Sequence, residues 1–530
     1  MLFRSCLRSF SFALVGAVCV MLTGARSAGA DIINVPDDYD TIQEAIEAAN
    51  GGDEIIVAPG TYGEHVNFLG KAVNLHSSDG ADVTIIDATG LPTSVLTCIY
   101  DEGSDTIISG FTLTGGIGTL TRSTRCGGGM YNAYFCSPTI VSCTFVGNSA
   151  THGGGMYNDY GCSPRMIDCT FTGNSAQEFG GGLCNSTWCS PVLTGCTFAE
   201  NTAEHGAGMC NFDGCCPVLA GCVFSDNTAG LTGGGMHSDF YCDPILVGCT
   251  FSGNRSLSLG GGMYTVHNST PILTGCVFRQ NQGDFIGGAM YSTVSPVLTG
   301  CAFIANWAYR GGGLYNSGSP VIVNCTFGDN EAGDFGDCFY NKYNSHLRVV
   351  GSILWNGENQ VWNEDDAQLT ITYSCVQGGS EGEGNIDADP VFVDPENGDY
   401  HLSAGSPCID AGANSALPAD SFDLDDDGDT AERVPLDLDG NARFADDPDT
   451  DDSGCGAPVI VDMGAYEYPG EAWHPMRIGD IDGNGIVNTT DLLVLLAAWG
   501  GYEDDCVLAD LDYSGAVDTA DLLALLANWG

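Results

Sequence analysis

Basic residues are scarce in this chain. Only 15 of its 530 residues are Lys or Arg, against 68 Asp or Glu, and the formal net charge is −53 at pH 7. A field of this sign repels nucleic acid and anionic membrane surfaces. It also repels polyuronates such as pectin, unless divalent cations bridge the two. The composition therefore argues against nucleic-acid binding and disfavours uronate polymers as ligands.

Long apolar segments are missing beyond the N-terminus. The apolar run at 12–24 follows two arginines and precedes a small-residue cleavage pattern. This is the pattern of a secretory signal peptide, and the run is too short to span a bilayer comfortably. We predict that residues 1–30 are a signal peptide, that the mature protein begins near Asp31, and that it is secreted to the extracellular space or the cell surface.

Helical periodicity is missing from the middle of the chain, where cysteines recur at near-constant intervals instead. Strand-length pieces rich in Met, Val, Phe and Thr lie between them, broken by Gly, Pro and Asn. A fixed period of this length is typical of a solenoid, and three short strands per turn, stacked in parallel, make a parallel β-helix. A leucine-rich repeat has an overlapping period, but these repeats lack its leucines. The recurring cysteines are Cys143, Cys169, Cys196, Cys222, Cys249, Cys276, Cys301 and Cys325.

Asparagine and a second cysteine row share the same period. One asparagine follows the Phe-containing strand of each repeat, and we interpret this row as a structural ladder. The second row is shorter than the first. Vertical disulfides between adjacent coils and buried, packed thiols are both compatible with the spacing. The second row is Cys136, Cys162, Cys189, Cys215 and Cys242.

A row of tyrosines forms the candidate glycan-binding surface. The Met of each Gly-rich strand should point inward, so the next residue should point outward. Tyrosines stacked in this way could lie against sugar rings, or they could simply pack across strands. These tyrosines are Tyr131, Tyr157, Tyr264, Tyr291 and Tyr315.

The segment before the repeats predicts a cap. "TIQEAIEAAN" (41–50) has the apolar spacing of a short helix that two glycines end, and "EIIVAPGTY" (54–62) reads as a strand. A helix here would cover the open end of a solenoid. The strings resemble the opening of pectin-lyase-like right-handed β-helix proteins. The resemblance implies an all-β fold, with an N-terminal cap at 31–52, including a capping helix, and a right-handed parallel β-helix solenoid at 53–375.

Catalytic strings of that family are absent. The Asn-Thr-Asp, Gly-Asp-Asp and Arg-Ile-Lys strings of polygalacturonase-like hydrolases do not occur, nor do the Asp-Phe-Ile-Phe-Gly and Gly-Arg-Pro-Trp strings of pectin methylesterases. The few cations of the coil share no register, so no basic groove is predicted. Glycoside hydrolysis needs only two suitably placed carboxylates, which keeps a polysaccharide hydrolase or lyase as the alternative. We predict no catalytic residue.

The segment at 376–470 is strongly acidic. Its strings "GNIDADPVFVDPENGDYHLSAGSPCIDAG" (384–412) and "VDMGAYEY" (461–468) resemble the C-terminal segment of secreted bacterial β-helices, which implies that it closes the coil. Bound calcium and a solvated acidic loop both remain compatible with its irregular carboxylate spacing. The carboxylates considered for calcium are Asp423, Asp425, Asp427, Asp437 and Asp439.

Two loops near the C-terminus, 480–491 and 510–521, carry the most specific chemical pattern. Each places oxygen ligands at positions 1, 3, 5, 9 and 12, a backbone carbonyl at 7 and glycine at 6, as calcium loops do. Each runs into an apolar helix. The predicted ligands are Asp480, Asp482, Asn484, Ile486, Asn488 and Asp491 in the first loop, and Asp510, Asp512, Ser514, Ala516, Asp518 and Asp521 in the second.

This duplicated pattern resembles a type I dockerin. The resemblance implies a small α-helical, calcium-binding module at 471–530 that docks to a cohesin-like exported partner. The positions before the last ligand contact the partner in that family; here they are Thr489, Thr490, Thr519 and Ala520, of which Ala520 departs from the pattern. The expected protein is a secreted, non-catalytic β-helix for adhesion, surface display or glycan binding, docked through this tail.

Overall fold

The computed structural model describes residues 30–357, 359–364, 366–456, 459–472, 479–481, 486–499, 511 and 517–529. The predicted signal peptide lies outside the described residues, apart from Ala30. Within the described chain, no helix is long and apolar enough to cross a bilayer.

The repeats form a parallel coil, as predicted. Each strand pairs in parallel with the strand one turn further along, and the turns build four sheets of 14, 13, 12 and 10 strands. A typical turn contains Met209–Phe212, Val218–Ala220, Val223–Ser225 and Thr228–Thr232. The prediction of three strands per turn is corrected for most of the coil, because a fourth strand follows the asparagine ladder.

Sheet 1 is the longest and begins before the capping helix. Its strands are Ile32–Val35, Glu54–Val57, Asn74–Ser77, Ile107–Ser109, Thr139–Val141, Arg165–Ile167, Val192–Thr194, Val218–Ala220, Ile245–Val247, Ile272–Thr274, Val297–Thr299, Val321–Val323, His346–Val350 and Gln368–Thr372.

Sheet 2 carries the phenylalanines of the core. Its strands are Gly60–Tyr62, Thr84–Asp87, Thr112–Thr114, Thr144–Val146, Thr170–Thr172, Thr197–Ala199, Val223–Ser225, Thr250–Ser252, Val277–Arg279, Ala302–Ile304, Thr326–Gly328, Ile353–Trp355 and Cys375–Val376.

Sheet 3 follows the glycine triplets. Its strands are Val66–Asn67, Leu96–Cys98, Met130–Asn132, Met156–Asn158, Leu183–Ser186, Met209–Phe212, Met236–Asp239, Met263–Thr265, Met290–Ser292, Leu314–Asn316, Phe339–Asn341 and Val361–Asn363.

Sheet 4 precedes the glycine triplets. It begins with an antiparallel pair, Thr119–Thr121 and Thr124–Cys126, and all its later pairings are parallel. Its other strands are Ser149–His152, Ser175–Phe179, Thr202–His205, Thr228–Thr232, Arg255–Ser256, Gln282–Ile286, Trp307–Arg310 and Glu331–Phe335.

A stack of phenylalanines fills the interior. Successive rings are nearly parallel, with centroids 4.5 to 5.0 Å apart. Identical residues stack because each turn places them in the same register about 4.8 Å from the last turn. The stacked residues are Phe145, Phe171, Phe198, Phe224, Phe251, Phe278, Phe303 and Phe327.

The predicted ladders are present in the interior. Asn174 Nδ2 donates to Asn201 Oδ1 at 3.1 Å, and Asn201 repeats this bond to Asn227 at 3.0 Å. Both cysteine rows consist of free, buried thiols, so packed thiols rather than vertical disulfides are found. Burial raises the pKa of the Cys143 thiol, which keeps it protonated.

The N-terminal cap is confirmed as a helix with an added strand. Helix α1 (Ile42–Ala48) begins at Thr41, whose hydroxyl oxygen accepts from the Glu44 amide, and it buries Ile42, Ala45 and Ile46. The strand Ile32–Val35 precedes it and pairs with Glu54–Val57. The cap therefore contains the first strand of sheet 1.

The acidic segment closes the coil and then lies along its side. The amide of Val376 donates to Ile386 O at 2.9 Å at the end of sheet 2. Nearer the middle of the coil, Asn324 Nδ2 donates to the backbone oxygen of Asp462 at 2.8 Å, which holds the later part of the segment against the side of the coil. The described part of the segment contains the antiparallel strand pair Phe392–Asp394 with Asp399–Leu402 and the 3-10 turns Pro395–Asn397 and Asn414–Ala416. Its strand Ala445–Asp446 pairs antiparallel with Glu471–Ala472, which lies just beyond the segment.

Candidate functional site

The tyrosine row lies on sheet 3, but it does not form an open surface. Tyr131, Tyr157 and Tyr315 are only 6%, 9% and 5% exposed, whereas Tyr264 and Tyr291 are half-buried. Stacking is close, with the Tyr264 and Tyr291 centroids 5.0 Å apart. The prediction of an open tyrosine surface is therefore corrected for the three buried tyrosines: their rings are covered and not available to a sugar.

The tyrosines are buried because the chain bends sharply between sheet 4 and sheet 3. The glycine triplet turns the chain so that the outer face of sheet 3 packs against sheet 4, and the His152 ring lies 6.1 Å from Tyr157. A Cβ on Gly154 would lie only 2.4 Å from the carbonyl oxygen of Gly181. His237 continues the row, and burial lowers its pKa to about 3, so that it is neutral.

A different row of aromatic residues faces solvent. It lies at the turn between sheets 3 and 1 on consecutive turns of the coil, and its members are 37% to 70% exposed. We call this row the aromatic strip. It consists of Tyr134, Phe135, Tyr160, Trp188, Phe212, Phe240 and Tyr241.

The rings of the strip lie against backbone. A Cβ on Gly161 would lie 2.8 Å from the Phe135 ring, and one on Gly214 would lie 2.6 Å from the Trp188 ring. These glycines therefore leave room for the ring of the preceding turn. Phe135 and Trp188 are nevertheless 70% and 69% exposed, so most of each ring surface remains open to solvent.

The backbone of these turns is left-handed. Tyr134 and Phe135 have φ of 59° and 66°, and Phe240 and Tyr241 have φ of 55° and 62°. Two successive positive φ values are the geometry that Asn-Gly favours, and bulky residues there cost about 1–2 kcal/mol each. Folding alone would favour Asn or Gly at these positions. Exposed aromatic rings held at such a cost point to a role in binding.

Polar groups accompany the rings. His267 Nδ1 lies 2.6 Å from Asp239 Oδ1, and its ring stacks on Phe240 at 4.8 Å. Asp159 is half-buried beside the strip, and burial raises its pKa. The surface thus combines open apolar ring faces with carboxylate and imidazole groups.

The two predicted calcium loops end in equivalent geometry. Asp491 accepts from the amides of Ile481 (2.7 Å) and Asn488 (2.8 Å). Asp521 accepts from the amide of Asp518 at 2.6 Å and from the amide of Leu511. The predicted ligands Asp482, Asn484, Asp510, Asp512, Ser514 and Ala516 lie outside the described residues.

Two helices follow these loops, as predicted. Helix α2 (Thr489–Ala497) and helix α3 (Thr519–Ala527) start in capping boxes, and Leu495 and Leu525 belong to a shared core. Thr489, Thr490, Thr519 and Ala520, predicted to contact a partner, are all exposed in the first turns. Exposed apolar side chains recur at matching places on both helices and just beyond them: Leu493 and Leu523, Leu496 and Leu526, Trp499 and Trp529.

Comparison with known families identifies the type and handedness of the coil. Residues 192–319 match the family described as the right handed beta helix region. The protein contains a right-handed parallel β-helix. Residues 168–186 of this β-helix also match the Chlamydia polymorphic membrane protein repeat. No curated protein matches the chain.

Solved structures similar to the chain include two lyases and a phage protein. Alginate lyase AlyGC of family PL6 is 13% identical over 71% of this chain and 56% of its own, with a TM-score of 0.46. Pectate lyase Pel9A is 12% identical over 82% of this chain and 96% of its own, with a TM-score of 0.36. The receptor-binding domain of the siphovirus 9NA tailspike is 11% identical over 71% of this chain and 78% of its own, with a TM-score of 0.30. Similarity at this level carries no information about activity.

The aromatic strip was not predicted, although the β-helix sequence contains a signal for it. Its residues occupy the one to three positions before each cysteine of the second row, as in "AYFCSP" (133–138), "STWCSP" (186–191) and "DFYCDP" (239–244). The buried tyrosines keep a constant spacing from the glycine triplets, whereas the exposed rings keep a near-constant spacing from the second cysteine row.

Proposed function

We propose that this is a secreted, non-catalytic β-helix protein that binds a neutral glycan on the aromatic strip and docks to a cohesin-like exported partner through its C-terminal tail. The observation that carries the glycan assignment is the row of exposed aromatic rings, six of which stand on left-handed backbone. Aromatic faces pack against the apolar faces of sugar rings, and nearby polar groups can bond sugar hydroxyls.

The geometry of the strip favours a chain-like ligand. Rings on successive turns lie 5.2 Å apart between the centroids of Phe212 and Phe240 and 6.1 Å apart between those of Tyr134 and Tyr160, a spacing similar to the length of one sugar residue in an extended glycan. The net charge of −53 disfavours a polyuronate. A neutral polysaccharide lying along the coil is therefore the ligand class that fits best.

Removing single rings should weaken binding without harming the fold. Phe135→Asn and Trp188→Asn each place a residue that tolerates positive φ at an exposed position, so stability should be unchanged or slightly higher. Each change should weaken glycan binding about tenfold, the equivalent of about 1.4 kcal/mol. Affinity electrophoresis in gels containing neutral polysaccharides, with thermal unfolding in parallel, measures both quantities.

The matched control is Phe285→Asn, which removes a 59% exposed ring from sheet 4, outside the strip. This variant should bind like the wild type. Equal weakening by all three variants, or unchanged binding in both strip variants, would contradict the assignment.

Calcium binding by the tail is supported by the described parts of both loops. Asp480 is 5% exposed and Asp491 and Asp521 are fully buried, and such carboxylates are oxygen ligands of the kind calcium takes. The first loop would hold the ion with Asp480, Asp482, Asn484, Ile486, Asn488 and Asp491, and the second with its six equivalents. Calcium would neutralise these carboxylates and order the module. The paired exposed leucines and tryptophans give a cohesin-like partner a duplicated apolar surface.

Asp491→Ala should remove one bound calcium from the tail. The change deletes a predicted ligand and leaves the Ile481 and Asn488 amides without their acceptor. Equilibrium dialysis of the full chain should show one calcium equivalent fewer than the wild type, and Asp521→Ala should give the same loss. Asp79→Ala, at an exposed carboxylate on the coil, should leave the count unchanged. Full stoichiometry in both tail variants would contradict calcium binding at these loops.

The alternative function is a polysaccharide-degrading enzyme of the pectin-lyase type. The pair formed by Asp239 and His267 beside the strip favours it, because a carboxylate with an imidazole at 2.6 Å can transfer protons. Asp239→Asn would abolish turnover under this alternative. Under the proposed function there is no turnover for it to abolish.

A further inference from the structure

A loop of the acidic segment, residues 420–432, brings carboxylates together in two overlapping groups. Ligand atoms of Asp420, Asp425 and Glu432 lie within 4.8 Å of one another, and so do those of Asp423, Asp425 and Asp427. Asp425 belongs to both groups. The five side chains therefore form one continuous cluster of oxygen atoms.

Two carboxylates of this cluster are buried, and one of their oxygen atoms has no hydrogen-bond partner among the described residues. Asp420 is fully buried, Glu432 is 4% exposed, and Oε1 of Glu432 has no hydrogen-bond partner among the described residues. Burial, with the surrounding carboxylates, raises the pKa of Glu432 to about 8. A buried carboxylate oxygen without a partner costs folding free energy, and a bound cation would remove that cost.

The loop also has the local shape of an oxygen-ligand loop. Asp423, Asp425 and Asp427 alternate along it, and Gly428 follows with φ of 87°. The amide of Gly428 donates to Asp423 Oδ1 at 2.9 Å, which closes the turn. Calcium loops alternate acidic ligands in this way before a glycine. The chain departs from that pattern at the twelfth position, Val434, and buried Glu432 and Asp420 supply carboxylates instead.

We propose that the loop 420–432 binds a calcium ion through Asp420, Asp423, Asp425, Asp427 and Glu432, independently of the C-terminal tail. Five carboxylates can supply the six to eight oxygens that calcium takes, and such hard ligands disfavour softer metals. Leu424 lies within this loop and packs on the cluster that contains Val323 and Val350 of sheet 1. The ion would therefore fix the acidic segment against the flank of the coil.

Calcium counting on the full chain tests the site. The protein is stripped with chelator, and calcium chloride is returned in equilibrium dialysis. Asp425→Ala should bind one equivalent fewer than the wild type, and the same loss should appear in a background carrying Asp491→Ala and Asp521→Ala. Asp449→Ala, at an exposed carboxylate of the same segment, should bind like the wild type. An unchanged count in Asp425→Ala would overturn the proposal, whatever the tail variants show.

Glu432→Gln gives a second readout that does not depend on the count. The change replaces one carboxylate oxygen of a proposed ligand with an amide nitrogen, so it should shrink the rise in Tm that calcium produces. The Asp491→Ala and Asp521→Ala background is again used, so that the tail does not contribute. A rise on adding calcium as large as that of the unsubstituted loop would overturn the assignment of Glu432. A rise produced equally by magnesium would overturn the choice of calcium.

Discussion

Asn201→Ala is expected to lower the free energy of unfolding of the coil by about 4 kcal/mol. The side chain is fully buried, and its Nδ2 donates to Phe171 O at 2.9 Å and to Asn227 Oδ1 at 3.0 Å. Its Oδ1 accepts from the amide of Asn174 at 3.0 Å. Alanine would leave a buried carbonyl and a buried amide unpaired, at about 1–3 kcal/mol each, and would open a small cavity.

Urea unfolding followed by intrinsic fluorescence measures this loss. Asn268→Ala is the control, because Asn268 is exposed and belongs to the same coil. Its φ of 63° means that alanine there should cost only about 1 kcal/mol. Equal losses in the two variants would show that the ladder contributes nothing beyond an exposed turn.

Gly181→Ala is expected to be comparably damaging, with a loss of about 3 kcal/mol or more, or failure to fold. The new Cβ would lie 2.5 Å from Ala207 O and 2.6 Å from Thr202 O. Both are backbone atoms of the next turn. Ala207 O accepts from the amide of Gly182 at 2.9 Å, so it cannot move without breaking a hydrogen bond between successive turns. Overpacking of side chains alone already costs about 1–3 kcal/mol.

Gly173→Ala separates this clash from backbone strain. Gly173 has φ of 60°, but nothing lies within 4 Å of the added Cβ. Its substitution should cost about 1 kcal/mol. Soluble yield and urea midpoints compare the two variants, and a Gly181→Ala protein as stable as Gly173→Ala would contradict the close approach of successive turns at the triplet.

The period of the sequence was sufficient to predict the coil and its ladders. Stacking of identical residues follows directly from a constant repeat, as the rows containing Cys169 and Asn174 show. The fold of sheet 4 over sheet 3 did not follow, because a glycine triplet indicates a turn but not its angle. Tyr157 therefore alternates correctly to the outer face of its strand and is still buried.

The candidate sites were harder to predict for a different reason. Aromatic residues are poor candidates for left-handed turns, so nothing in the pattern around Phe240 and Tyr241 indicates their backbone geometry. In the acidic segment, the sequence shows the carboxylates but not which of them are buried. Glu432 lies outside the Asp-rich string and joins the cluster only through the fold.

A paired binding and turnover assay tests the central claim most directly: that the β-helix holds glycan on its aromatic strip and does not cleave it. Purified full-length protein is incubated with neutral and uronic polysaccharides, and retention, new reducing ends and unsaturated uronides are measured together. We expect retention by a neutral polysaccharide, lost in a Phe135→Asn and Trp188→Asn double variant, with no product from any substrate. Product that disappears in Asp239→Asn would contradict this account.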